Sequence, residues 1–274
     1  MPTLVRNIHR GHAEAFVERL LETRKPATAS NRYRGLQQFF NFLVDEGEID
    51  QSPMERMKPL TVPEQPPPVL RETGFRALLA ASSGRTFEDR RDTAIIRALI
   101  DTGARLSELT NLAYDRTDPD RSDASQLWVT RKGRRPRVLP VGVRPAQALD
   151  RYLRVRDRHA LADLPWLWIG TKGAMTPSGI RQMIERRADQ AGLAHVNPHR
   201  FRHTFAHQWL SSGGNEGDLM NLTGWKSRGM LQRYAAGSRS RWLKTRVALR
   251  SADGQPASAR RYVAAWRIHT FGST

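Results

Sequence analysis

Asn197-Pro198-His199-Arg200-Phe201-Arg202-His203-Thr204-Phe205 is the stretch on which the reading of the fold turns. Asn197 suits an N-cap, because its side-chain oxygen can accept from an unpaired backbone N–H of the first turn. Pro198 suits the first helical position, where its missing N–H costs nothing. Phe201, Phe205 and Trp209 recur every four residues and form an apolar stripe, which predicts a core helix over 198–210. His199 and Arg202, three apart, project together off that stripe. A histidine beside an arginine suits proton transfer next to a bound phosphate. His199, His203 and His207 also have a spacing of four that two metal ligands could share. All three would span about 12 Å of one helix, and that helix offers no carboxylate, so no metal site is expected. His203 and His207 are read as structural or partly buried.

Working outward, the chain reads mainly as helix. Helices are predicted at 10–22 (Phe16, Leu20 and Leu21 on one side), 30–46 (Tyr33, Leu36, Phe39, Phe40 and Leu43), briefly after Pro53, and at 73–81, 90–101, 104–113, 145–159 and 177–190. Two strands, 126–130 and 136–141, flank a turn at Gly133. Gly47 is the predicted stop of the second helix. Five prolines between Pro59 and Pro68 predict a stiff linker, and the domain boundary is placed there. The expected division is residues 1–62, a linker at 63–70, a second domain at 71–250 and a tail at 251–274.

The 274 residues suffice for one large or two smaller domains. The net charge of +18 favours a polyanionic partner, nucleic acid before an anionic membrane surface. Residues 1–70 hold nine cations and nine carboxylates, so the whole excess lies beyond them. With no cysteine, disulfides, zinc–thiolate sites and thiol catalysis are excluded. No apolar run reaches the roughly 18 residues of a membrane span. The N-terminus reads as no signal peptide, and a cytoplasmic protein is expected.

Three further patches carry chemistry. In Thr102-Gly103-Ala104-Arg105-Leu106-Ser107-Glu108-Leu109, Gly103 breaks one helix and Arg105 and Glu108 share a face of the next. Arg131-Lys132-Gly133-Arg134-Arg135 is a basic hairpin tip able to follow a phosphate backbone. Last come Gly224-Trp225-Lys226 and then Arg233-Tyr234. Each patch alone has a plain structural reading: an exposed ion pair, a solvated turn, a packing tyrosine.

In this order the patches resemble the tyrosine recombinase (phage integrase) family, over about residues 12–245. The nine-residue step from Trp225 to Tyr234 is similar to the family's own. The resemblance implies a small helical core-binding domain and a larger, mostly helical catalytic domain with a small antiparallel sheet, together clamping double-stranded DNA. It implies that Tyr234 attacks the scissile phosphate to form a 3′-phosphotyrosyl link. Arg105 and Arg202 would hold the non-bridging oxygens, Lys132 would protonate the leaving 5′-oxygen, and His199 would aid proton transfer. Trp225 stands where many relatives have histidine and can only donate a hydrogen bond. Glu108 would orient Arg105. The implied chemistry is positioning and charge stabilisation, without metal or nucleotide cofactor.

Residues expected to contact DNA are Arg24, Lys25, Arg32 and Arg34, gathered on one face, with Arg131, Arg134, Arg135, Arg181, Arg200 and Lys226. The resemblance also implies a homo-tetramer on DNA, with a monomer admissible in solution. The first helix begins near residue 10, which favours the two-domain type without an arm-binding domain. A basic amphipathic helix is expected at 239–250, packed in cis or in trans. Alternatives are a non-catalytic DNA-binding or architectural protein, and a type IB topoisomerase-like relaxation of DNA.

Overall fold

The computed structural model describes residues 4–62, 67–114, 126–129, 137–225, 227–229 and 231. The chain divides into two compact units, Met1–Gln65 and Pro66–Thr274.

In the first unit, α1 (Arg10–Thr23) packs on α2 (Pro26–Asp45). The core is Ala13, Val17, Tyr33, Phe40, Leu43 and Met54. Helix α2 starts four residues earlier than its apolar spacing suggests, because Pro26 occupies the first helical turn. Gly47, at φ 73°, follows its end as expected. The buried line of α1 runs through Ala13 and Val17, whereas Phe16 and Leu21 are exposed. The larger apolar residues of α1 fall outside this core, whose bulk comes from Tyr33, Phe40 and Leu43 of α2. Phe39 is likewise exposed. The expected helix after Pro53 is only a turn. Met54 there is fully buried, and the Met57 carbonyl accepts from the Tyr33 hydroxyl at 2.8 Å, so tertiary contacts fix the segment.

The second unit contains α3 (Glu72–Ala80), α4 (Phe87–Thr102), α5 (Leu106–Thr110), β1 (Gln126–Val129), β2 (Arg137–Pro140), α6 (Val143–Arg156), α7 (Pro177–Gln190), α8 (Pro198–Ser211) and α9 (Glu216–Thr223). The strands pair antiparallel, with Leu127 opposite Leu139. Helix α4 packs against α6 and α8 around a core that includes Ile95, Leu99, Leu109, Tyr152, Trp168 and Phe201. Among the described residues this is a mainly helical fold with one small two-stranded sheet, as the sequence indicates.

The differences from the sequence reading have local causes. Helix α4 begins at Phe87 because Thr86 and Asp89 cap it reciprocally. Helix α5 stops at Thr110 because the chain then bonds elsewhere. The Leu112 carbonyl accepts from Leu167 at 2.8 Å, and the Tyr114 N–H donates to Pro165 at 3.0 Å. Helix α6 ends at Arg156, which is fully buried and donates to the carbonyls of Ala162, Leu164, Trp166 and Leu167. Tyr152, in a helix rich in charge, is fully buried, its hydroxyl donating to the Leu167 carbonyl at 2.9 Å. Helix α9 escaped the apolar pattern, although Asn215 caps it by accepting from Asp218 N–H. The expected helix at 239–250 lies outside the described residues.

A second buried network ties α4 to α7. Asp92, fully buried, accepts from Arg91 at 2.8 Å and from Arg187 at 2.9 Å, and Arg187 also reaches Asp89 at 2.8 Å. A buried carboxylate needs such partners to remain charged.

Candidate active site

Helix α4 closes on Gly103, whose left-handed φ of 57° turns the chain directly into α5. The Thr102 hydroxyl accepts from Ala104 N–H at 3.2 Å and so holds the turn. Arg105 is therefore the N-cap residue of α5 rather than a member of its face. Glu108, at the third position of the helix, accepts from the Arg105 backbone N–H at 2.9 Å through Oε2 and from Nη1 at 3.1 Å through Oε1. Glu108 is only 3% exposed, so the pair is not the exposed, weak kind that the spacing alone would allow. The carboxylate fixes both ends of Arg105.

Arg202 comes from α8 and is also buried. Its Nη1 donates to the Gly103 carbonyl at 2.6 Å, and its Nη2 donates to the Thr223 carbonyl at the end of α9. Arg105 Nη1 donates to that same Thr223 carbonyl at 3.2 Å, and its Nη2 to the Gly224 carbonyl at 3.4 Å. One peptide oxygen thus receives both guanidinium groups, which three separate elements bring to one point. Gly224, at φ 65°, ends α9 and exposes those carbonyls. The Arg202 guanidinium lies 5.4 Å from the centre of the Trp225 ring. Trp225 is buried with Phe205, Ala206, Leu219 and Leu231.

His199, at the start of α8, is exposed, so it and Arg202 do not share one environment. His203 lies one turn on, its ring 6.2 Å from that of His199. Burial, and then the charges of His199 and Arg202, hold its pKa below the usual imidazole value. His203 and His207 are both half-buried. Among the described residues, no group of three or more histidines, cysteines or carboxylates could hold a metal ion. Among them, too, no helix is long and apolar enough to cross a membrane.

The expected DNA-contact residues fare unevenly. Arg24, Lys25, Arg32 and Arg34 are exposed. Arg32 and Arg34 flank buried Tyr33 about 200° apart around α2, so the four do not share one helix face. Arg181 is exposed and 3.7 Å from Glu185. Arg200 is differently occupied: Nη1 donates to the Ala194 and His195 carbonyls, and Nη2 to Val69. It braces the loop before α8, a use its place beside His199 does not reveal. Lys132, Tyr234, Arg131, Arg134, Arg135 and Lys226 lie outside the described residues. Sequence reasoning missed the carbonyls of Gly103, Thr223 and Gly224, since any residue type supplies one. The glycines that aim two of them were the available signal.

Solved structures of like fold include recombinases and integrases. XerH bound to palindromic difH substrate, in a post-cleavage complex, matches with a TM-score of 0.70 and 16% identity, over 88% of this chain and 72% of that one. A lambda integrase dimer bound to a COC′ core site matches at 0.64 and 15%, over 84% of each chain. The fold is that of tyrosine recombinase and integrase catalytic domains. Among curated proteins, the tyrosine recombinase XerC of Corynebacterium efficiens is 30% identical over 233 residues, covering 84% of this chain and 74% of the relative. XerC of Alcanivorax borkumensis is 32% identical, covering 82% and 70%. The model of the phage integrase family matches residues 68–241. The chain belongs to that family and is a tyrosine-type site-specific recombinase.

Proposed function

We propose that this recombinase cuts and rejoins double-stranded DNA through a 3′-phosphotyrosyl intermediate, with Arg105 and Arg202 as the clamp on the scissile phosphate. The observation that carries the reading is the convergence of both guanidinium groups on the Thr223 carbonyl. A peptide oxygen there occupies the kind of position a non-bridging phosphate oxygen would take. Two guanidinium groups held at one point gain most where negative charge grows in the transition state.

In the proposed step the Tyr234 phenol loses its proton and its oxygen bonds to phosphorus. The P–O5′ bond breaks, and Lys132 supplies the proton that the leaving 5′-oxygen takes. His199, exposed at the start of α8, aids proton transfer. Trp225 packs beside Arg202 and has one N–H to donate. Glu108 orients Arg105. Reversal onto another 5′-hydroxyl reseals the strand, since the covalent link retains the phosphodiester's energy. No metal or nucleotide cofactor enters this step.

Residues 1–62 serve as the core-binding domain, residues 71–250 as the catalytic domain, and 251–274 as a tail. Arg24, Lys25, Arg131, Arg134, Arg135, Arg181 and Lys226 contact DNA, as does whichever of Arg32 and Arg34 faces the duplex, and Arg200 both braces its loop and lies beside the strand. A homo-tetramer forms on DNA; a lambda integrase tetramer bound to a Holliday junction is among the structures of like fold, with a TM-score of 0.62. The working compartment is the cytoplasm. The test uses wild type and Tyr234→Phe with a nicked duplex carrying the target site. A covalent protein–DNA adduct on a denaturing gel is expected from wild type alone. No adduct with wild type removes the catalytic reading and leaves DNA binding, and an equal adduct with Tyr234→Phe moves the nucleophile elsewhere.

A further inference from the structure

The turn that carries Arg105 is held from two directions. Arg202 holds it through the Gly103 carbonyl. The second hold lies four residues before Arg105, at Asp101 in the last turn of α4. Its Oδ2 accepts from the backbone N–H of Gly142, the N-cap residue of α6, at 2.7 Å. That bond fixes the end of α4 against the start of α6. A Cβ at Gly142 would lie 3.2 Å from Asp101 Oδ1 and 3.4 Å from Oδ2, so glycine leaves the space the carboxylate fills.

This carboxylate has no role in the clamp itself. Burial pushes its pKa up to about 6, opposed only in part by the Gly142 amide and by Arg97. Arg97 is itself pushed down by burial and by the charges of Arg144 and Arg151 on α6. An ionised Asp101 is therefore a cost to the fold at neutral pH. A residue that costs stability beside a catalytic turn is best explained by what it positions.

We propose that Asp101 is a positioning residue for Arg105: by tying the end of α4 to the start of α6, it sets where the Arg105 guanidinium meets the scissile phosphate. From Asp101 the chain runs through the hydrogen-bonded Thr102–Ala104 turn, with Gly103 pinned by Arg202, so a shift at Asp101 reaches Arg105 with little slack. The inference rests on the clamp role given to Arg105 above.

The experiment uses the full chain and two nicked duplexes, one with the natural scissile phosphodiester and one with a methylphosphonate there. In both, the bond from the Tyr234 oxygen to phosphorus forms and the bond to the 5′-oxygen breaks. Only the phosphodiester carries the charge that the arginine pair must hold. Asp101→Ala is expected to slow adduct formation on the phosphodiester on the order of 10- to 100-fold. On the methylphosphonate it should stay within about threefold of wild type, as should Arg105→Ala. Asp101→Asn keeps an acceptor for the Gly142 N–H and should recover most of the rate. Gly142→Ala, which crowds the carboxylate without removing it, should show a smaller loss of the same selectivity. Equal slowing on both duplexes by Asp101→Ala, or an Asn variant as slow as the Ala variant, overturns the proposal. If Arg105→Ala is slowed equally on both, the clamp reading fails and the role of Asp101 with it. If wild type forms no adduct on either, the failure belongs to the proposed function.

Discussion

Gly103→Ala should damage both the fold and the site, for separable reasons. The left-handed φ of 57° costs a Cβ-bearing residue about 1–2 kcal/mol. The added Cβ would also lie 2.4 Å from Phe205 Cδ1 and 2.8 Å from Cγ, inside the packed ring. Relief requires the α4–α5 turn or α8 to move, an overpacking cost of about 1–3 kcal/mol. Together these give a destabilisation of about 2–5 kcal/mol, or a fall in Tm of roughly 5–15 °C for a unit of this size. The Gly103 carbonyl also receives Arg202, so the same movement displaces that guanidinium group. Urea unfolding measures the first effect and adduct formation on a nicked duplex the second. Gly103→Asn tolerates the φ but keeps the clash, so it should recover only about 1 kcal/mol. Phe205→Leu in the Gly103→Ala background should recover more than it loses in wild type, a favourable coupling in a double-mutant cycle. A Gly103→Ala protein within about 0.5 kcal/mol of wild type, and equally active, would refute the reasoning about both turn and clamp.

Two further outcomes are expected. Asp101 has a folded pKa of about 6, above the ordinary 3.8, so the fold favours its neutral form. Stability tied to that form is complete below pH 4 and is lost as pH rises through 6. Asp101→Asn should therefore gain on wild type by about 1–3 kcal/mol between pH 4.5 and pH 7.5 in urea unfolding, and an unchanged difference would contradict the buried-charge argument. Arg156→Lys should lose about 2–5 kcal/mol, because an ammonium cannot serve four carbonyls and cover the Tyr114 ring, 4.3 Å away. Chemical denaturation that finds less than about 1 kcal/mol would show that water or a neighbour replaces it.

Much of the fold was legible because long amphipathic helices announce themselves. Pro177 and Pro198 marked their helix starts, and Phe201 and Phe205 the buried side of the second. What was not legible depends on partners remote in sequence. Nothing near Thr110 says that α5 will stop, because its competitors are the backbone groups of 165–167. Phe16 and Phe39 are as apolar as their buried neighbours, yet the packing partner alone decides which side of each helix is covered. Residue type and order singled out Arg105 and Arg202, but not the carbonyl at which the two side chains meet. Arg200, a cation beside a motif, is also held by three backbone carbonyls that the sequence does not announce.

The carbonyl of Thr223 has a consequence for how readily the site engages DNA. Two like-charged side chains would ordinarily separate, each exploring many rotamers at a cost of about 2 kcal/mol to order. Here the negative end of α9 gathers them before any substrate arrives. An incoming anion would meet two guanidinium groups already gathered at one point rather than two it must first order. The disorder of both side chains is removed once, during folding, rather than at every encounter.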